Sequence, residues 1–112
     1  MMATEIINNA SNETLSEEVI ESIRQVYDPE IPINVYDLGL IYKVRLNPDD
    51  SVYVTMTLTS PNCPAAGILP SQVESVVMLT EGVTDARVEL TFDPPFTIEM
   101  MSEEAKLELG FL

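Results

Sequence analysis

The sequence predicts a small α/β domain of the α+β type, in the order α-β-β-α-β-α, whose three-stranded sheet is packed with helices. The 112 residues suit one domain with one modest core. The apolar pattern also changes from helical to alternating spacing along the chain, with proline or glycine near the changes. We therefore assign residues 14–112 to the domain and the polar, Asn-rich residues 1–13 to a flexible N-terminal tail.

The first helix is predicted to begin at Thr14, because Thr14 and Glu17 have the spacing of a capping box. Apolar residues then recur at helical spacing, which indicates one inward face: Leu15, Val19, Ile23, Val26 and Tyr27. We expect the helix to end at Asp28-Pro29, because the residue before a proline avoids the helical region. A stiff loop should follow.

Two strands joined by a turn are predicted next. Residues 38–46 and 52–59 alternate apolar residues with polar or small ones, as half-buried strands do. Residues 47–51, Asn-Pro-Asp-Asp-Ser, are typical of a turn, so the two strands should form a hairpin. Gly39 is expected to mark a bulge or a close backbone approach, since glycine inside a strand often does.

A second helix, a third strand and a short last helix complete the predicted domain. The second helix has one apolar side and is closed by Gly82: Leu69, Val73, Val76 and Val77. Pro70 either kinks this helix or marks its first turn. Residues 83–92 alternate as a strand does, and residues 102–109 are predicted to form an acidic helix.

Charge and cysteine count narrow the class of function. The formal charge of −14, from 19 acidic and 5 basic residues, disfavours nucleic acid and membrane surfaces and favours a basic protein partner. A simple contribution to solubility is the default interpretation of this charge. One cysteine and no histidine exclude an internal disulfide and a Ser-His-Asp set. With no signal-peptide pattern in residues 1–12 and no spanning apolar run, we expect a cytoplasmic protein.

Cys63 is the candidate functional residue. It follows the second predicted strand and precedes Pro64, a residue that suits the first position of a helix. The free N–H groups and the dipole at a helix start favour the thiolate form. A free cysteine is also often a small buried apolar residue, and this alternative stays open. The turn context favours an exposed, reactive thiol.

Polar residues on both sides of the hairpin are further candidates. Three carboxylates cluster around the first loop, where they could act in acid–base chemistry or, more commonly, cap turns: Asp28, Glu30 and Asp37. Thr59 lies four residues before Cys63 and could hydrogen-bond near the thiolate. Thr55 and Thr57 need no role beyond a solvated strand face.

Three motifs resemble the SufT/PaaD-like family of metal–sulfur cluster assembly proteins, and they fit the SufT branch best. Residues 28–42, 56–64 and 92–110 are similar to that family's opening motif, cysteine loop and tail, in the same order. The resemblance implies a compact α/β fold and a non-enzymatic role in maturing iron–sulfur proteins. It places the family's cysteine on Cys63. It places the family's acidic loop on Asp28, Glu30 and Asp37, and its strand-end hydroxyl on Thr59.

One thiol limits how a cluster could be held. Common clusters take four thiolates, whereas one chain supplies one and a homodimer would supply two. We therefore expect an adaptor or transient carrier with no tightly bound cofactor, in which Cys63 gives one ligand to an iron–sulfur cluster or to iron. Its partners would be the iron–sulfur assembly machinery and client apoproteins. An acidic interaction module with an inert Cys63, or a thiol enzyme such as a peroxide reducer, are the alternatives.

Overall fold

A computed structural model of the chain describes residues 4–28, 31–58 and 68–110. Its four strands are β1 (Glu5–Asn8), β2 (Ile41–Leu46), β3 (Ser51–Met56) and β4 (Asp85–Leu90). Its helices are α1 (Leu15–Ile23), α2 (Leu69–Met78) and α3 (Glu103–Glu108), with a 3-10 turn at Ile98–Met100. Of the helices within these ranges, none has the length and apolar character that crossing a bilayer requires.

The strands form one mixed sheet in the order β1-β2-β3-β4. The hairpin of β2 and β3 is antiparallel, and the two outer strands run parallel to their neighbours. One face of the sheet joins α1 and α2 in the core, and its residues alternate along the strands: Val44, Leu46, Val52, Val54 and Ala86. The other face carries the residues between them, including Lys43, Thr55 and Glu89.

The α+β class is confirmed, but the prediction of three strands was wrong. The additional strand β1 lies within residues 1–13, the segment that we assigned to a flexible tail. Two of its four residues are adjacent isoleucines, so the sequence has no alternating pattern that would indicate a strand. The strand forms because the edge of β2 supplies its hydrogen-bonding partners, with Glu5 opposite Lys43 and Asn8 opposite Leu46.

Helix α1 begins where it was predicted, with Thr14 as its N-cap residue, but the capping contact and the end of the helix differ from the prediction. Thr14 accepts no capping hydrogen bond with its side chain; instead its backbone N–H and its hydroxyl both donate to Asn12 Oδ1, at 3.0 and 2.9 Å. The helix ends at Ile23, before the expected Asp28. It ends early because the following residues pair across the loop, with Tyr27 opposite Asn34 in an antiparallel bridge.

The start of β2 confirms the expectation of a close approach at Gly39. This residue has φ +86°, and a Cβ built on it would lie 2.6 Å from the carbonyl carbon of Met100. The regular strand therefore begins only at Ile41. A bulge follows, because Ile41 pairs with Met56 but Lys43 pairs with Thr55, which leaves Tyr42 as the extra residue.

Candidate functional site

The predicted site residues divide between described and undescribed parts of the chain. Asp28 and Asp37 lie in the described ranges, whereas Glu30, Thr59 and Cys63 lie outside them. The roles assigned to those last three residues stay predictions. The described chain stops at buried Leu58 and resumes at Ile68, so the fold fixes the two residues between which the cysteine segment, residues 59–67, lies.

A chain of backbone hydrogen bonds brings the acidic loop to the end of β3. Val35 N–H donates to the carbonyl of Val26 at 2.9 Å, and Leu40 N–H donates to the carbonyl of Val35 at 3.1 Å. Thr57 N–H then donates to the carbonyl of Leu40 at 2.8 Å. The loop after α1 and the strand end that leads towards Cys63 are thus joined at one edge of the domain.

Asp28 is buried, with 5% of its surface exposed. Its Oδ1 accepts a hydrogen bond from the Ile31 N–H at 3.0 Å, and its own N–H donates to the carbonyl of Ile33 at 3.2 Å. These contacts are those of a turn-capping aspartate, which satisfies backbone N–H groups and stiffens the loop. The geometry therefore gives Asp28 a positioning role.

Asp37 connects three parts of the fold. Its carboxylate accepts a hydrogen bond from Asn34 Nδ2 at 2.7 Å and lies 3.9 Å from the Arg24 guanidinium. Its backbone carbonyl accepts a hydrogen bond from Ser102 N–H at 2.8 Å, just before α3. Asp37 therefore holds the end of α1, the acidic loop and the C-terminal segment against one another.

Arg24 is a residue that the sequence analysis missed. Its guanidinium lies 2.9 Å from the Glu21 carboxylate and 4.9 Å from the centre of the Tyr36 ring. It takes part in both salt bridges of the described ranges. One signal could have found it, because Arg24 is the only basic residue before Lys43 in a strongly acidic chain.

Thr57 also differs from its prediction. We expected it on a solvated strand face, but it is fully buried beside the end of β3. The Thr57 side chain hydrogen-bonds to that of Tyr42, the extra residue of the bulge in β2. Burial raises the pKa of Tyr42, and the Thr57 hydrogen bond lowers it by a smaller amount. Beside the end of β3, buried Thr57 and half-buried Tyr42 therefore form a polar pair.

The described residues form no metal centre. No three His, Cys, Asp or Glu side chains within residues 4–28, 31–58 and 68–110 are grouped so that they could hold a metal ion. Asp28 and Asp37 instead make the loop contacts given above.

Comparison with known proteins gives consistent results. The chain is 53% identical over 106 residues to a Porphyromonas gingivalis protein named Fe-S protein maturation auxiliary factor, covering 95% of this chain and 100% of that protein. It is 38% identical over 98 residues to the Bacillus subtilis Fe-S protein maturation auxiliary factor YitW, covering 88% and 96% of the two chains. A crystal structure of a domain of unknown function from Bacillus anthracis matches with a TM-score of 0.83 and 33% identity, covering 91% and 97%.

The family assignment rests on a match that includes β2, β3, α2 and β4. The sequence profile described as iron-sulfur cluster assembly protein matches residues 16–90, which contain the acidic loop, the cysteine segment and most of the sheet. The resemblance seen in the three motifs is thereby confirmed. The chain belongs to the iron–sulfur cluster assembly protein family.

Proposed function

We propose that this chain is a maturation factor for iron–sulfur proteins that acts without enzymatic chemistry of its own, as an adaptor or transient carrier working through Cys63. The observation that carries the proposal is the 53% identity, over nearly the full length of both chains, to the maturation auxiliary factor of Porphyromonas gingivalis. A reducing cytoplasm, where a single thiol stays unpaired, is the compartment that suits this role.

The donor set supports a transient role. An iron–sulfur cluster is the cargo here, and common clusters take four thiolates. The chain has one cysteine and no histidine, so other ligands would have to come from a donor, a client or a second copy. A cargo held by one protein ligand exchanges readily, which suits a handover complex.

The surroundings of the cysteine segment support the same proposal. The last described residue before it, Leu58, and the second one after it, Leu69, are both buried in the core. Asp28 and Asp37 stiffen the neighbouring loop, and we infer that they set its position for a partner. Glu30 and Thr59 remain the candidates for direct contact with the partner or the cargo.

A complementation experiment tests the role of Cys63. Cells lacking the gene receive the wild type or Cys63→Ser at matched expression, and the activities of several iron–sulfur enzymes are measured. Serine is nearly isosteric but stays protonated at neutral pH and is a poor iron ligand, so we expect no rescue. A double variant, Cys63→Ser with Ser71→Cys, keeps the thiol count but moves the thiol onto the exposed face of α2. It should also fail.

The outcomes separate this proposal from its alternatives. Full rescue by Cys63→Ser would contradict a role for the thiol and favour an acidic interaction module. Rescue by the relocated thiol would show that position is unimportant, which would also contradict the proposal. Peroxide consumption by the purified wild type, absent in Cys63→Ser, would instead indicate a thiol enzyme. Equal melting temperatures of the purified variants would show that loss of function is not loss of fold.

A further inference from the structure

A groove of about 530 Å³ lies on the face of the sheet that points away from α1 and α2. Its floor is one row of residues paired across all four strands: Glu5, Lys43, Thr55 and Glu89. One wall is formed by the segment before α3, including Asp93, Pro94 and Met100. The described lining of this groove does not include Thr57 or Leu58, the last described residues before Cys63.

The wall of the groove is fixed to the sheet at two places. Tyr42 Oη donates a hydrogen bond to the carbonyl of Pro94 at 2.8 Å, and the Gly39 backbone packs directly against Met100. The Glu89 carboxylate on the floor accepts a hydrogen bond from Tyr53 Oη. The groove is therefore formed before any partner arrives, which reduces the ordering cost of binding.

The lining of the groove is negatively charged. Four carboxylates against one ammonium group give the lining a net charge of −3: Glu5, Asp37, Glu89 and Asp93 against Lys43. Lys43 lies within 4 Å of no carboxylate in the described ranges, and of the four lining carboxylates only Asp37 has a cation within 4 Å there, the Arg24 guanidinium at 3.9 Å. A concave surface of one sign focuses the field of the whole chain, whose formal charge is −14.

The lining also offers apolar surface beside these charges, from Tyr42, Pro94 and Met100. Lysine and arginine side chains bury their aliphatic stems on such surface while the charged group reaches a carboxylate. A bare metal ion fits less well, because no three of the described carboxylates are grouped to hold one. Charge and shape together favour a basic polypeptide segment.

We propose that this groove binds a basic, extended segment of a partner protein. The stems of its lysine or arginine residues pack on Tyr42 and Met100, and their cations lie at Glu5 and Glu89. The proposal is independent of Cys63. A Cys63→Ser variant that fails in cells should therefore bind the basic segment as the wild type does.

The test measures fluorescence anisotropy of a labelled ten-residue peptide of alternating lysine and alanine, at about 0.15 M salt, where charges beyond about 8 Å are screened. The double variant Glu5→Gln/Glu89→Gln should bind about five- to tenfold more weakly. The control Glu17→Gln/Glu18→Gln makes the same change in net charge on exposed residues of α1 and should change affinity less than twofold. Lys43→Gln removes the competing cation and should tighten binding about threefold.

Opposite changes in peptide affinity for Glu5→Gln/Glu89→Gln and for Lys43→Gln would support the groove. A loss of structure alone would weaken binding in both. Equal weakening by both double variants would overturn the proposal in favour of diffuse attraction to an acidic surface. Weaker binding by Lys43→Gln would overturn it as well. Displacement of the peptide by spermine at equal charge concentration would overturn the assignment to a polypeptide, because the groove would then take any polycation. Thermal unfolding of each variant verifies that its fold is intact.

Discussion

The backbone of Gly39 lies directly against the backbone carbonyl of Met100, at a φ of +86° that side-chain-bearing residues rarely adopt. This contact joins the loop before β2 to the segment before α3. It is reinforced by the hydrogen bond from Ser102 N–H to the carbonyl of Asp37 at 2.8 Å. The C-terminal segment, the acidic loop and one wall of the groove thus depend on the absence of a side chain at residue 39.

Gly39→Ala should lower the free energy of unfolding by about 3 kcal/mol or more, because it adds a steric clash to the conformational cost. Gly110→Ala is the matched control, since Gly110 has φ +84° but, its chain neighbours aside, no atom of the described residues lies within 4 Å of its would-be Cβ. The control should cost only the conformational term of about 1–2 kcal/mol. Urea unfolding of both variants checks this difference. Equal losses would show that the backbone at Met100 yields without cost.

Tyr42→Phe should destabilise the domain by about 1 kcal/mol near neutral pH, because it removes the hydrogen bond to the carbonyl of Pro94. It should also change the response to alkali. Burial raises the pKa of Tyr42 in the folded state above its ordinary value of about 10. The folded state therefore holds this proton more tightly, and stability present below pH 10 is lost as pH rises through the folded pKa.

Urea unfolding at pH 8 and at pH 11 measures this alkaline loss. The wild type should lose more stability between the two than Tyr42→Phe does. The pKa of Tyr53 is also raised, mainly by its hydrogen bond to Glu89, but both proteins keep that contribution and it cancels in the comparison. An alkaline loss of the same size in both proteins would mean that the Tyr42 hydroxyl ionises without affecting the fold.

Replacing Arg24 by lysine or by methionine should lower the stability of the domain. Its planar guanidinium contacts the Tyr36 ring and the Glu21 and Asp37 carboxylates at once, a geometry that an ammonium group cannot reproduce. We expect Arg24→Lys to lose about 1 kcal/mol. Arg24→Met, which keeps an unbranched stem, should lose at least as much. The control Lys106→Met removes a charge from α3 and should leave the melting temperature nearly unchanged. Full stability of Arg24→Lys would show that the positive charge of Arg24 is enough and that its planar geometry adds no stability.

The periodic parts of the chain were predictable, and the parts set by tertiary contacts were not. The hairpin, α2 and α3 follow from alternation, from Pro70 at the first turn of α2, and from Ser102, whose hydroxyl caps α3 at the Ala105 N–H. Strand β1 could not be found, because its pairing with β2 rather than its own sequence creates it. The bulge at Tyr42 likewise depends on the partner strand.

The candidate site also has features that were predictable from the sequence and features that depend on tertiary contacts. The carboxylates were found because they cluster around the first loop, but the contacts of Asp37 depend on Arg24 and Asn34, which no motif singled out. The groove on the outer face was not foreseen, because its floor takes one residue from each of four strands. Sequence patterns show which residues share a strand face; they do not show which strand lies next to it.

The last prediction follows from the number of cluster ligands that one chain supplies, which is the single thiolate of Cys63. After anaerobic reconstitution with iron and sulfide, the isolated monomer should show no stable visible absorption, because one thiolate leaves most of a cluster's coordination to outside donors. Added glutathione at millimolar concentration should produce a labile absorption that disappears on desalting, and Cys63→Ser should fail to produce it. Protein-free glutathione mixtures are the control. A stable coloured monomer without added thiols would contradict the one-ligand account, and variants of Glu30 and Thr59 would then be tested first.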